Sequence, residues 1–276
     1  MYLSDIMHDM IAKFSDAGLQ TPVLDAQVIV AHVLDVERYK LIAEDDCIVS
    51  AEDERIVHRM MKRRLRGEPV AYIVGQKEFY SLNFAVTREV MIPRPETELL
   101  IDLTLFHARQ RGIVLDLGTG SGAIAISVKH NRADLEVYAS DISKKALRVA
   151  KRNARNILGG ESIRFYQGDL FSPFQEIAFD IIVTNPPYVD PEKRTTLQDE
   201  LLYEPAVALF AENRGHDVIK RIISECGKCL GRHGMVIMEI GEEMEDFLGA
   251  LISETDFHLS ILSDYGGLPR VALIKR

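Results

Sequence analysis

The stretch that most constrains this chain is Ile181-Ile182-Val183-Thr184-Asn185-Pro186-Pro187-Tyr188. A β-branched run without polar alternation reads as a strand buried on both faces, the pattern of a parallel sheet covered by helices. Pro186 and Pro187 lack an N–H and fix φ, so the strand stops there. Asn185 precedes a proline and is pushed to an extended conformation, while the two prolines keep their carbonyls and offer no donors. The resulting corner is rich in acceptors. Asn185 Oδ1 and the Pro186 carbonyl suit a planar –NH2 group, with Tyr188 placed to cover it. Asn-Pro and Pro-Pro are also ordinary turn signals, so the corner takes its meaning from what the fold sets beside it.

From Gly112 onward, strand and helix patterns alternate. Strands are expected at Ile113–Leu117, Leu135–Ala139, Ile163–Tyr166, Phe179–Thr184, Met235–Ile240, His258–Leu262 and Arg270–Ile274. Helices are expected at Ala123–His130, Ser143–Asn156, Asp217–Leu230 and Glu242–Ile252. Long crossovers imply a doubly wound, mostly parallel sheet of seven strands, and the short link before the last strand implies an antiparallel finish. The fold class is therefore α/β and Rossmann-like.

The first third reads differently. Ile6, Met10, Ile11 and Phe14 share one helical face, and Val23, Ala26, Val30, Val33 and Leu34 share another, after Thr21-Pro22. A third helix, about Ala51 to Arg66, has Glu52, Asp53 and Glu54 in its first turn and Lys62, Arg63, Arg64 and Arg66 at its end. Those charges complement the helix dipole, and helix termination is the preferred reading of the basic cluster over a contact with RNA or an acidic partner. Residues 1–66 are thus expected to form a helical bundle, 67–92 a β-hairpin linker in which Tyr72 to Val86 alternate, and 93–276 the main domain. In the last of these, Pro95 opens a helix with Leu99, Leu100, Leu103 and Phe106 inward.

With 276 residues there is material for two cores. A formal net charge of −9 disfavours stable binding of duplex nucleic acid, where phosphate neutralisation dominates affinity. No apolar stretch suits a membrane span and the N-terminus does not read as a signal peptide, so a cytoplasmic location is expected; a monomer is expected as well. Three cysteines give no disulfide framework. Cys226-Gly-Lys-Cys229 lacks further zinc ligands and falls late in a helical pattern, so it is read as buried packing, and no metal is expected.

Val114-Leu115-Asp116-Leu117-Gly118-Thr119-Gly120-Ser121-Gly122 sets glycines where a backbone turns tightly and approaches a ligand. The spacing is GxGxG, not the GxGxxG of dinucleotide sites, and the carboxylate of Asp116 would serve a pyrophosphate poorly. A nucleoside bearing ammonium and sulfonium charge fits better, which points to S-adenosylmethionine. Asp141 ends the second strand, where an acid binds ribose hydroxyls. Asp169 and Leu170 follow the third, placed for the adenine amine and face. Alone, each acid also reads as a cap or turn carboxylate.

Together, the DxGxGxG loop, the acid after the second strand and the Asn-Pro-Pro-Tyr corner resemble class I methyltransferases acting on exocyclic nitrogens. Gly67-Glu68-Pro69, Glu78-Phe79-Tyr80, Ile92 to Glu98, Tyr203-Glu204-Pro205, Glu239-Ile240-Gly241 and Arg270-Val271 narrow the resemblance to the peptide-chain release factor glutamine N5-methyltransferases. The resemblance implies methylation of the glutamine in the Gly-Gly-Gln motif of bacterial class I release factors. It implies that Gly118, Thr119, Gly120, Ser121, Gly122, Asp141 and Leu170 contact the cofactor, and that Asn185, Pro186, Pro187 and Tyr188 hold the glutamine. Asn185, Pro186 and Tyr188 are the expected catalytic groups, with Asn185 also near the cofactor. The N-terminal helices are expected to grip the release factor. Ala211 to His216 departs from the family in carrying less glycine. A base-amino or ribosomal-protein glutamine methyltransferase shares the nitrogen corner, and a noncatalytic cofactor-binding module stands as the other alternative.

Overall fold

A computed structural model describes residues 1–43, 47–160, 163–192, 199–211, 213, 215–241 and 243–276. Within the Ala211–His216 loop, Glu212 and Arg214 lie outside the described residues, as does Glu242 at the expected start of a helix. The chain divides into two compact units, Met1–Gln76 with Gln198–Tyr203, and Lys77–Leu197 with Glu204–Arg276.

The first unit contains α1 (Leu3–Asp16), α2 (Pro22–Leu34), α3 (Lys40–Ala43), α4 (Ala51–Arg64) and α5 (Val70–Val74). Leu3, Ile6, Met10 and Phe14 pack with Ala26, Ile29, Val30, Val57 and Met61 in one apolar core. Val23, expected inward, is exposed, and Asp25 is buried instead. A buried carboxylate needs a partner, and α4 supplies it: Arg64 Nε donates to Asp25 Oδ2 at 2.6 Å, and its Nη2 reaches Glu200. Arg63 grips Glu68 through Nε at 2.7 Å and Nη2 at 2.8 Å. Half of the basic cluster that ends α4 is thus committed to carboxylates of its own unit. Ser50 accepts from the Asp53 N–H and caps this helix.

The alternation through Tyr72, Ile73 and Val74 predicts a strand, and the structure has the single turn α5 there. Pro69 caps its start, and Gly75 at φ 78° ends it by donating to the Ala71 carbonyl. Start and stop signals override β-propensity because Ala71, Tyr72 and Ile73 are buried in helical form. The hairpin that follows is short, β1 (Gln76–Phe79) and β2 (Leu82–Ala85), with Tyr80 and Ser81 both at positive φ as a two-residue turn requires.

The second unit continues with a 3₁₀ turn at Pro95–Thr97, α6 (Glu98–His107), β3 (Ile113–Leu117), α7 (Ala123–Asn131), β4 (Glu136–Asp141), α8 (Lys144–Leu158), β5 (Ile163–Gln167) and β6 (Phe179–Thr184). After these come α9 (Ala206–Leu209), α10 (His216–Cys226), β7 (Leu230–Glu239), α11 (Glu245–Ser253), β8 (His258–Ser263) and β9 (Pro269–Lys275). The seven-stranded sheet has the order β5-β4-β3-β6-β7-β9-β8. Neighbours from β5 to β7 are parallel, while β9 lies between β7 and β8 and is antiparallel to both. Phe179 and Ile182 of β6 face a core shared with α10 and α11, and Ile181 and Val183 face another shared with α6, α7 and α8. That two-sided burial is why β6 has no polar alternation.

In α6 the buried face is Leu100, Ile101 and Thr104, whereas Phe106, expected inward, is 81% exposed. Cys226 and Cys229 are buried, the latter donating to the Phe174 carbonyl. Among the described residues no helix is long and apolar enough to cross a membrane. The strand order reverses between β3 and β6, and in an open α/β sheet the crevice at the carboxyl ends of such strands is where ligands bind.

Candidate active site

The chain leaving β3 turns through Gly118 at φ 79° and Gly120 at φ 55°, conformations open to glycine at no steric cost. Apart from its chain neighbours, a Cβ added at either would meet no atom of the described residues within 4 Å, so glycine leaves open space there. Gly122 differs, since a Cβ there would come within 2.7 Å of Ile126 Cδ1, and its role is close packing at the start of α7. The loop is held from β4. Gly118 and Thr119 N–H both donate to the Ser140 carbonyl, and Gly120 N–H donates to Asp141 Oδ2 at 2.9 Å. The other Asp141 oxygen accepts from Ser143 N–H at 2.8 Å. Burial pushes the Asp141 carboxyl above the usual range, against these two N–H donors.

Asp116 is fully buried beneath the loop. Its Oδ2 accepts from Thr119 Oγ1 at 2.6 Å and from Ala125 N–H at 3.0 Å, while Oδ1 has no partner among the described residues. Burial pushes this carboxyl up to about 7. Between about pH 4 and 7 the unfolded chain has already released this proton while the folded chain still holds it, so stability falls as pH rises across that range and levels off above 7. Asparagine at this position has no such proton. The stability of the wild type relative to Asp116→Asn should therefore drop by about 2 to 3 kcal/mol between pH 5 and 8, read from denaturant midpoints. A pH-independent difference between the two would mean that Asp116 is ionised throughout.

The loop, the ends of β4, β5 and β6, and segments from Glu89 to Thr97 and Pro205 to Phe210 enclose a cavity of about 290 Å³. Gly118, Thr119, Gly120, Ser121, Asp141, Asp169, Leu170, Asn185, Pro186 and Pro187 line it. Asp116, Gly122 and Tyr188 are not on its wall and act from behind it. Asp169, expected at the adenine amine, pairs with Arg221 at 2.7 Å, and Leu170 turns into the wall at φ 44°.

Behind the corner, sequence reasoning missed the supporting groups. Asn185 Nδ2 donates to Thr97 Oγ1 at 3.1 Å, Thr97 Oγ1 donates to Glu239 Oε2 at 2.7 Å, and the Tyr188 hydroxyl donates to Glu239 Oε1 at 2.9 Å. The Tyr188 ring packs so closely on Gly241 that a Cβ there would lie 3.0 Å from it. Burial and the neighbouring Glu239 charge push the Tyr188 phenol far up, so it stays a donor. The available signal for Glu239 was one acid closing the apolar run Met235–Met238, which demands partners once buried. Asn153, also missed, donates to the Ser121 and Ala85 carbonyls and accepts from Ala85 N–H, tying the glycine loop to β2.

A sheet that reverses order at a glycine loop, an acid ending the next strand and an acceptor corner on the same rim define a methyltransferase of the Rossmann-like class. Residues 5–75 match the family described as PrmC N-terminal domain, and residues 95–215 match the Methyltransferase small domain. A release factor glutamine methyltransferase of Neisseria gonorrhoeae is 37% identical over 92% of this chain and 93% of its own length. One from Bordetella pertussis is 37% identical over 97% and 98%, and one from Thermodesulfovibrio yellowstonii 33% over 99% and 97%. The chain belongs to the release factor glutamine methyltransferase family.

Solved structures extend the likeness in fold alone. A ribosomal protein L11 methylase from Lactobacillus delbrueckii is 21% identical with a TM-score of 0.51 over 69% of this chain and 84% of that one. The human Mettl16 catalytic domain is 16% identical with a TM-score of 0.56, over 82% of each. S-adenosylmethionine is the cofactor of this class. The residues fit it: glycines whose missing Cβ leaves open cavity, and the Asp141 carboxylate at its edge.

Proposed function

We propose that this protein methylates N5 of the glutamine in the Gly-Gly-Gln motif of bacterial class I release factors, as a cytoplasmic enzyme supporting translation termination. The observation that carries this is the Asn185 amide. Its Nδ2 is taken by Thr97, while Oδ1 carries no hydrogen bond among the described residues, and Asn185 lines the cavity together with the glycine loop.

A carboxamide nitrogen is a poor nucleophile because its lone pair is delocalised into the carbonyl. Asn185 Oδ1 and the Pro186 carbonyl each accept one amide hydrogen of the substrate, which orients the nitrogen and favours the positive charge it gains. Bound S-adenosylmethionine supplies an electrophilic methyl on a sulfonium. Asp141 holds the ribose hydroxyls and Leu170 packs against adenine, while Tyr188, behind the wall, braces the corner through its hydroxyl on Glu239. The N-terminal unit grips the release factor, since one glutamine side chain offers little to recognise.

Incubation with labelled S-adenosylmethionine tests the reading. A release factor should take up label, and its Gln-to-Ala version in the Gly-Gly-Gln loop should not. Label on ribosomal protein or nucleic acid instead would displace it. Removing Met1 to Arg66 should lower kcat/KM at least tenfold more for the whole release factor than for a short Gly-Gly-Gln peptide. Equal losses on both would remove the gripping role.

A further inference from the structure

The corner works as an acceptor only if the Asn185 amide faces one way, because the opposite flip would present –NH2 to a substrate –NH2. We propose that Thr97 and Glu239 are positioning residues that set this flip, making Oδ1 the atom offered to the substrate amide. The inference rests on the function proposed above.

The argument is one of donors and acceptors. Thr97 is 4% exposed and Glu239 2%, so water does not substitute freely for their partners. An ionised carboxylate only accepts, and each hydroxyl has one proton to give. Glu239 Oε2 takes the proton of Thr97 Oγ1 and Oε1 takes that of the Tyr188 hydroxyl. With its proton spent on Glu239, Thr97 Oγ1 can only accept from Asn185, and the group that can donate there is Nδ2. Oδ1 is then turned to the cavity. One buried charge thereby orients both ends of the corner, the amide of Asn185 through Thr97 and the ring of Tyr188 directly. Burial and, less, the Glu96 charge push the Glu239 carboxyl upward, while the two hydroxyl donors and the Arg270 charge oppose this and stabilise the ionised form the relay uses.

Neither residue touches the reacting atoms in this scheme, so the test separates orientation from packing. Thr97→Val keeps the shape and removes the hydroxyl, while Thr97→Ser keeps the hydroxyl and removes the methyl. On a release factor, Thr97→Val should lose about 10- to 100-fold in kcat with its S-adenosylmethionine dissociation constant within about twofold of wild type. Thr97→Ser should stay within about threefold of wild type in kcat. Serine falling as far as valine, or valine turning over like wild type, overturns the proposal.

Glu239→Gln gives a readout that does not depend on turnover. Its amide must place a donor against either Thr97 or Tyr188, so the Asn185 side-chain NH2 resonances, assigned by their loss in Asn185→Asp, should shift or split in an asparagine-labelled sample. Unchanged resonances also overturn it, and they do so even if Thr97→Val fails to fold. A wild type that methylates no release factor would instead defeat the functional reading, while the resonance test would still report whether the relay orients the amide.

Discussion

Asn185→Ala should turn over release factor about 10²- to 10³-fold more slowly than wild type, the usual loss when one preorganised group facing developing charge is removed. The cofactor should bind almost as before. In the proposed complex Asn185 adjoins the methyl donor, but the loop of Gly118 to Ser121 and Asp141 is built on β3 and β4 without it. The alanine variant keeps the Pro186 carbonyl, so one of the two acceptors survives and the residual rate should exceed background. It also leaves Thr97 Oγ1 without the Nδ2 donor, a modest loss since the hydroxyl still has Glu239. Single-turnover rates with saturating cofactor check this, together with equilibrium binding of S-adenosylhomocysteine. Equal single-turnover rates would remove Asn185 from catalysis, and a parallel loss of cofactor affinity would make it a structural residue of the loop.

The second large effect belongs to Asp141. Its carboxylate holds Gly120 N–H and Ser143 N–H, and in the proposed complex it also accepts from ribose hydroxyls. Charge-assisted hydrogen bonds contribute about 1.5 to 3 kcal/mol each, so Asp141→Ala should weaken S-adenosylmethionine binding by roughly 10²- to 10³-fold. Part of that loss comes from the loop, whose Gly120 N–H is left without its acceptor. An analogue without ribose hydroxyls separates the two parts. Wild type should discriminate strongly against it in calorimetry, and Asp141→Ala should not. Identical discrimination in both proteins would mean that the acid serves the loop alone.

Much of the second unit was legible in the sequence because its strands are buried on both faces and its turns are punctuated by glycine and proline. Ile113–Leu117 and Phe179–Thr184 have the observed ends, since Gly118 and Asn185-Pro186 leave no room for a longer strand. Legibility failed where local preference and burial disagreed. Tyr72 to Val74 favours a strand, yet Pro69 and Gly75 close a helical turn around it. Phe106 fits an inward helical stripe on α6 but is exposed at its last turn, and Asp25 displaced Val23 from the core because Arg64 was available 39 residues later.

By itself the sequence determined the kind of site: a glycine loop after a buried strand, an acid ending the next and an acceptor corner after a fourth. Each depends on covalent geometry and short-range backbone rules acting within a few residues. Which way the corner's amide faces was decided only by tertiary structure. Thr97 lies 88 residues before Asn185 and Glu239 lies 142 after Thr97, and a donor's choice of acceptor across such separations has no local signature. The two meet because β6 and β7 are neighbours in the sheet and the 3₁₀ turn before α6 reaches the same rim. There, Thr97 and Glu239 are buried, and buried polar groups rarely go without a partner.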